Sequence, residues 1–451
     1  MNRTLVLGVM AAVVIIVAIG IWLLSGMAPQ TQPRKEVKLV VITRLAPEEG
    51  SALRERFLRS DIASKAGIVD VEFRKEDIGK WRSFVESGGV DLFFVGGYAV
   101  YSSLCREGYL EPIINQEIIS RASSIGASLY KDDKGNICFL SVSRTIFSFT
   151  VNNEYLSRYS LPKPRSWEDL ASPSFSASLL KGDPAISFPA PSKSTTAART
   201  LQLILQKYGW DRGWEILTII GANSKIVESS ERARDDVATG VSGAAPTVLV
   251  YGLRAVNASG GKAEFIVAEK GLLPDISPVA IAKNSKNKEA AEAFILWLLS
   301  DDGQRSLAEL FYYLPYQLPR GTALEDIYRR AEGNIYPYDP EEGSRWEFSA
   351  IYYFEASIAD PDANNMLKKI WGKAISLYQG GKMSAKDLED LVHRIGSPLE
   401  IEFNGTKSVF TKDYASRINS LLTNPAYVDA FKSAVKKAAM ARYSSVLSSL
   451  G

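Results

Sequence analysis

The sequence predicts an α/β protein built on a mainly parallel, doubly wound sheet, with an N-terminal transmembrane helix and a helical C-terminal extension. Three observations predict it. Short apolar runs alternate with helix-period stripes through the first third of the chain, residues 4–24 carry no charge, and beyond residue 330 amphipathic helical patterns dominate.

At the N-terminus, "TLVLGVMAAVVIIVAIGIWLL" is apolar for about 21 residues, enough to cross a hydrocarbon core of roughly 30 Å as a helix. It reads either as an uncleaved signal anchor or as a removed signal with a weak cleavage site at Gly26 and Ala28. No Cys follows it, which excludes a thioether lipid anchor. Residues 1–25 are therefore assigned to the membrane segment and residues 26–36, "GMAPQTQPRKE", to a Pro-containing polar linker.

The whole sequence is 46% hydrophobic, so the chain beyond the membrane segment can bury a sizeable core. Lys plus Arg, at 53, nearly balances Asp plus Glu, at 51; no strong field points to nucleic acid. From residue 37, an apolar run at 39–42 predicts a strand, Leu53, Phe57 and Leu58 give a helical stripe, and residues 68–73 give a second strand. Residues 92–95 form a third, broken by Gly96 and Gly97. In a doubly wound sheet ligands lie beyond the carboxyl ends of the strands, and Arg44, Gly97 and Tyr98 all fall there.

Four stretches then agree in order and spacing with a known family. They are "DLFFVGGYAVYSSLCREGYLEPI", "VNNEYLSRYSLPKPRSWEDLASPSF", the hydroxyl-rich turn "SKSTT" and "KNKEAAEAFILWLLSDDGQ". From about residue 37 to 325 the chain resembles the extracytoplasmic solute-binding proteins of ABC importers, in the group that carries ferric ion, thiamine or phosphonates. The resemblance implies a two-lobed periplasmic-binding-protein-like fold of type II over residues 37–330, joined by crossover strands. It also implies a small-molecule or anionic solute clamped between the lobes, and an ABC permease as partner. It places the globular part outside the cell, tethered through residues 4–24, an arrangement that fits an archaeal surface.

Within that frame "SKSTTAAR" carries four hydroxyls, on Ser192, Ser194, Thr195 and Thr196, ahead of apolar positions 197, 201, 204, 205 and 208 that predict a helix ending at Gly209. A helix start needs one capping hydroxyl. The surplus, set beside the positive end of the helix dipole, suits an oxygen-rich solute. Arg44 and Arg144 stand at strand ends where a guanidinium can grip a phosphate or carboxylate in bidentate fashion. Tyr98 and Tyr251 are candidates to line the cleft, and Asp275 precedes the return strand expected at 279–282.

Ferric members of the family carry adjacent tyrosines where this chain has Tyr251 followed by Gly252, so the phenolate pair is missing there. Tyr312 with Tyr313 and Tyr352 with Tyr353 lie in other contexts. No cofactor or structural metal is expected. Catalysis is disfavoured: the single His, His393, lies outside the matched region, and there is no GxSxG, P-loop or HExxH. Asp235 and Asp236 read as a solvated helix face. Cys105 and Cys138 are compatible with one extracytoplasmic disulfide or with two buried thiols. Asn257 and Asn404 head glycosylation triplets.

Residues 331–451 lie outside the resemblance. Their stripes predict helices over 363–378, 384–395 and 424–450, packed on the second lobe. This extension and the anchor favour an alternative reading, a structural or sensory surface protein that reuses the binding-protein fold.

Overall fold

The structure, a computed structural model, describes residues 36–76, 78–317 and 324–450. The expected anchor at 4–24 lies outside the described residues, among which no helix is long and apolar enough to cross a membrane.

Eleven strands form one continuous sheet: β1 (Val37–Thr43), β2 (Ile68–Lys75), β3 (Leu92–Phe94), β4 (Leu129–Lys131), β5 (Ile137–Asn152), β6 (Ile186–Pro189), β7 (Ser224–Val227), β8 (Ala244–Val248), β9 (Ala263–Ile266), β10 (Leu273–Ile281) and β11 (Leu314–Pro315). The spatial order is β2-β1-β3-β10-β5-β8-β6-β7, with β4, β9 and β11 paired to β5. β1 runs parallel to β2 and β3, and β6 parallel to β7 and β8. These two parallel blocks are the two lobes.

β5 and β10 join them. Over its 16 residues β5 pairs with β4 and β10 in its first half and with β8 and β9 in its second. The return strand starts earlier than the sequence suggested, at Leu273, so Asp275 lies within it and opposite Thr145. Successive side chains of a strand point to opposite faces. Asp275 and Thr145 therefore share one face of the crossover ribbon, and Ile276 and Arg144 share the other.

The first lobe closes around Leu53, Phe57, Phe294 and Trp297, all fully buried; Phe57 meets Phe294 edge-on at 4.9 Å. The indole N–H of Trp297 donates to Asp302 at 2.9 Å. On the other face of this lobe's sheet, Cys105 and Cys138 form a disulfide, which decides between the two cysteine states left open by the sequence.

The second lobe and the C-terminal extension share one core. Helix Trp210–Ala222 brings Trp214 against Tyr353, with ring centroids 4.5 Å apart, and Tyr353 stacks on Phe410 at 4.0 Å. The fit is close: a Cβ on Gly221 would lie 2.1 Å from a methyl of Ile358. The three expected extension helices are present as Pro361–Gln379, Ala385–Gly396 and Pro425–Ser449.

The extension is not wholly helical. β12 (Glu400–Phe403) and β13 (Thr406–Val409) form a hairpin turned by Asn404 and Gly405, with φ of 50° and 72°. Positive φ at both central residues is what an Asn-Gly turn supplies. Asn404, which also heads a glycosylation triplet, thus has a structural role in the turn.

Candidate functional site

A cleft of about 530 Å³ opens between the lobes, over the Asp275 face of the crossover ribbon. Five helix N-termini border it. In the first lobe, Glu48 and Glu49 belong to the first turn of helix Pro47–Leu58, and Gly97 caps helix Tyr98–Arg106. In the second, helices Thr195–Tyr208, Ser230–Thr239 and Leu249–Ala258 begin at its wall. Free N–H groups and the aligned peptide dipoles make each such end mildly electropositive.

The Val-Gly-Gly turn after β3 explains how the first lobe presents its backbone. Val95, Gly96 and Gly97 have φ of 61°, 137° and 86°. A Cβ on Gly96 would lie 2.6 Å from the Trp81 ring, so only glycine fits there. Val95 is a β-branched residue in the left-handed region, which costs energy of order 1–3 kcal/mol and is typically retained where geometry matters.

The hydroxyl cluster divides its labour. Ser194 is the N-cap: its Oγ accepts from the Ala197 N–H at 3.0 Å and shares a 2.6 Å hydrogen bond with Ser230 Oγ. Thr195 and Thr196 line the cleft, and their hydroxyls make no hydrogen bond among the described residues. The capping need is met by one residue, so the other two are spare.

Charge in the cleft is mixed with a cationic excess. Arg44, Lys75, Lys193, Arg199, Arg234 and Arg254 face Glu48, Glu49, Glu231 and Asp275. Arg254 of the second lobe bonds Glu49 of the first at 2.7 Å, a latch across the opening. Arg199 is 8% exposed; its Nε lies 3.6 Å from Asp275, and a Cβ on Gly97 would come 3.7 Å from its Nη2. One guanidinium thus touches the second lobe, the crossover and the edge of the first. Burial opposes its charge, but the fields of Asp275 and Glu347 outweigh it and raise its pKa.

Tyr251 donates to Glu231 at 2.7 Å, and the Arg234 guanidinium stands over its ring at 5.4 Å. Burial, reinforced by the Glu231 bond, pushes the phenol well up, so Tyr251 is a neutral donor rather than a phenolate. Burial works to raise Glu231, but the Tyr251 hydroxyl, the Glu231 backbone N–H, Ser229 and the Arg234 charge together outweigh it and hold the carboxyl below its usual value.

Seven of the ten sequence candidates meet at this cleft: Arg44, Gly97, Ser194, Thr195, Thr196, Tyr251 and Asp275. Tyr98 and Arg144 line a separate cavity at the hinge instead, because Arg144 alternates onto the other face of β5. Ser192 is exposed away from the cleft lining, and its N–H donates to Glu355 of the extension at 3.0 Å. Asp236, read as solvated, is 4% exposed and accepts from Ser187 at 2.7 Å while pairing with Arg232. The tyrosine pairs at 312–313 and 352–353 divide likewise: Tyr313 borders the cleft, whereas Tyr353 is core of the extension.

Arg199 and Arg254 were missed from sequence. For Arg199 a signal existed, since it is a lone cation inside the otherwise uncharged run "STTAARTLQLIL".

A family model described as bacterial extracellular solute-binding protein matches residues 89–331, the stretch that carries most of both lobes and the cleft. The chain belongs to this family. Among curated relatives of this solute-binding protein, the phosphoglycerate transport regulatory protein PgtC of Salmonella typhimurium is 31% identical over 173 residues, 38% of this chain and 41% of the relative. The chain thus spans about two fifths of that relative's length.

Solved structures share the fold of this solute-binding protein. The periplasmic binding protein AfuA from Actinobacillus pleuropneumoniae, with fructose-6-phosphate bound, aligns with a TM-score of 0.56 at 19% identity, covering 72% of this chain and 99% of that one. Iron-bound HitA from Pseudomonas aeruginosa aligns at 0.54 and 18% identity, covering 70% and 98%. Both alignments leave more than a quarter of the solute-binding protein unmatched, as an extension beyond the shared fold requires.

Proposed function

We propose that the protein captures a small, oxygen-rich anion, a phosphorylated metabolite in particular, by closing its lobes around it, and delivers it to the permease of an ABC importer. The observation that carries this reading is the meeting of five helix N-termini and six cationic side chains on one interlobe cleft. The spare Thr195 and Thr196 hydroxyls add donors suited to phosphate oxygens. The relative named for phosphoglycerate transport and the fructose-6-phosphate-bound AfuA support the same chemistry.

Closure is a hinge motion in β5 and β10, and the solute stabilises the closed form by touching both lobes. The globular part works outside the membrane, held by residues 4–24. The disulfide supports that placement, since such bonds persist in oxidising compartments.

Calorimetric titration with 3-phosphoglycerate, fructose 6-phosphate, inorganic phosphate and ferric citrate tests the reading. Saturable binding of a phosphorylated compound, lost in Thr195→Ala/Thr196→Ala, is expected. Binding of ferric ion alone, or of the phosphorylated compound unchanged in that variant, would refute it.

A sensory role is the second reading, favoured by the word regulatory in the relative's name and by the large extension. It predicts solute binding without stimulation of permease ATPase activity in proteoliposomes; the transport reading predicts stimulation.

A further inference from the structure

A second cavity, about 290 Å³, lies at the hinge beside residues 273–276 of β10. The extension supplies part of its wall through Ile335, Tyr338 and Pro340, which lie beyond the family match ending at residue 331. The 334–336 segment is tied to the start of β10 by Leu272 N–H to Asn334 O at 3.1 Å and Tyr336 N–H to Leu272 O at 2.9 Å. Helix Pro340–Phe354 then packs on helix Tyr98–Arg106 of the first lobe, closing the chamber against it. The chamber therefore touches both lobes, the crossover and the extension.

Its charges do not balance. Arg199 and Asp275 offset each other across 3.6 Å. Arg144 forms no ion pair among the described residues; its Nη2 reaches only the Tyr328 hydroxyl, at 3.2 Å, and its Nε is buried with no acceptor. The guanidinium instead stands over the rings of Tyr316 and Tyr328, 5.1 and 5.6 Å from their centroids. A buried charged donor without an acceptor is costly, and an anion supplied from outside relieves it.

The rest of the lining is aromatic. Tyr98, Tyr130, Tyr316 and Tyr338 surround the space. Burial pushes the Tyr130 phenol up to about 12, so that ring carries a neutral hydroxyl, while the Tyr338 hydroxyl donates to Gln202 at 2.6 Å. One uncompensated positive charge among flat rings defines a ligand with one negative charge and a planar apolar body.

We propose that this hinge chamber is a second ligand site, distinct from the interlobe cleft, that takes a small aromatic carboxylate through Arg144. Arg199 and Asp275 line both cavities, so occupancy of the chamber bears on the residues that span the lobes.

Benzoate is the probe, titrated into the full chain by calorimetry, with acetate and benzamide as comparisons lacking the ring or the charge. Benzoate is expected to bind saturably, both comparisons at least tenfold more weakly. Arg144→Gln is expected to weaken benzoate at least tenfold, and Thr195→Ala/Thr196→Ala to leave it unchanged while losing the cleft solute. Absence of saturable benzoate binding, or Arg144→Gln matching the parent, overturns the proposal. Loss of benzoate in the Thr195→Ala/Thr196→Ala variant also overturns it, because the probe then sits in the cleft. If circular dichroism shows that Arg144→Gln fails to fold, Tyr338→Ala takes its place, with tenfold weakening expected and no change overturning the site.

Discussion

At the scale of single residues, function and folding can be separated within one turn of helix. Ser194 caps helix Thr195–Tyr208, so Ser194→Ala is expected to cost about 1 kcal/mol of stability, read as a lower midpoint in urea. Thr195→Ala/Thr196→Ala removes hydroxyls that hold nothing among the described residues; with Thr196 3% exposed, the lost methyl should cost at most about 1 kcal/mol of stability, while solute affinity falls roughly tenfold or more. Glu231 gives a pH signature. Its carboxyl is held below the usual 4.5, so it contributes stability above that pH, and the contribution is lost as pH falls through the folded value. Glu231→Gln should therefore flatten the acid side of the stability profile below pH 4.5, measured by denaturant unfolding at stepped pH.

Residue-scale legibility follows from the same chemistry. Ser194, Thr195 and Thr196 stood out because a helix start needs only one cap, and the surplus was visible in one short string. Arg144 was misplaced because strand alternation depends on register, and a side chain one position away from Thr145 faces the opposite way. Arg254 and Glu49 sit 205 positions apart, and no local pattern links them.

Elements show what the sequence displays best and where it falls short. Strand–helix alternation announced the parallel blocks, and the stripes at 363–378 and 424–450 anticipated their helices to within a few residues. The hairpin β12–β13 escaped because eight paired residues with weak alternation lie between two strong helical patterns. Helix Trp210–Ala222 makes a testable case: Gly221 leaves no room for a Cβ against Ile358. Gly221→Ala should destabilise by about 1–3 kcal/mol despite better helix propensity, seen as a lowered melting temperature. The latch between helices Leu249–Ala258 and Pro47–Leu58 is a partly exposed pair, worth about 1 kcal/mol at most. Arg254→Ala should speed solute release up to roughly fivefold in stopped-flow measurements, and high salt should mimic it.

For the whole molecule, the extension changes what counts as the second lobe. Trp346, Phe354, Trp371 and Phe410 share a core with Phe188 and Trp214, whereas the family match ends at residue 331. A chain ended at 331 would expose that apolar face; it should aggregate or bind a hydrophobic dye strongly rather than behave as a minimal receptor. The sequence marked the extension as separate because the family resemblance stopped there, and no pattern within it could reveal that its core is continuous with the lobe beside it.

The path of the backbone through β5 and β10 also governs the order of events during synthesis. The second lobe, between Asn152 and Leu273, is threaded into the first, which lacks β10 and helices Lys288–Leu298 and Asp301–Phe311 until that insertion of about 120 residues has been made. At ribosomal speeds of about 5–20 residues per second, the early strands wait roughly 6–24 s for their partners. A chain that must leave the cytoplasm gains from that delay: its first lobe stays incomplete, and so threadable, until the last third of the protein emerges.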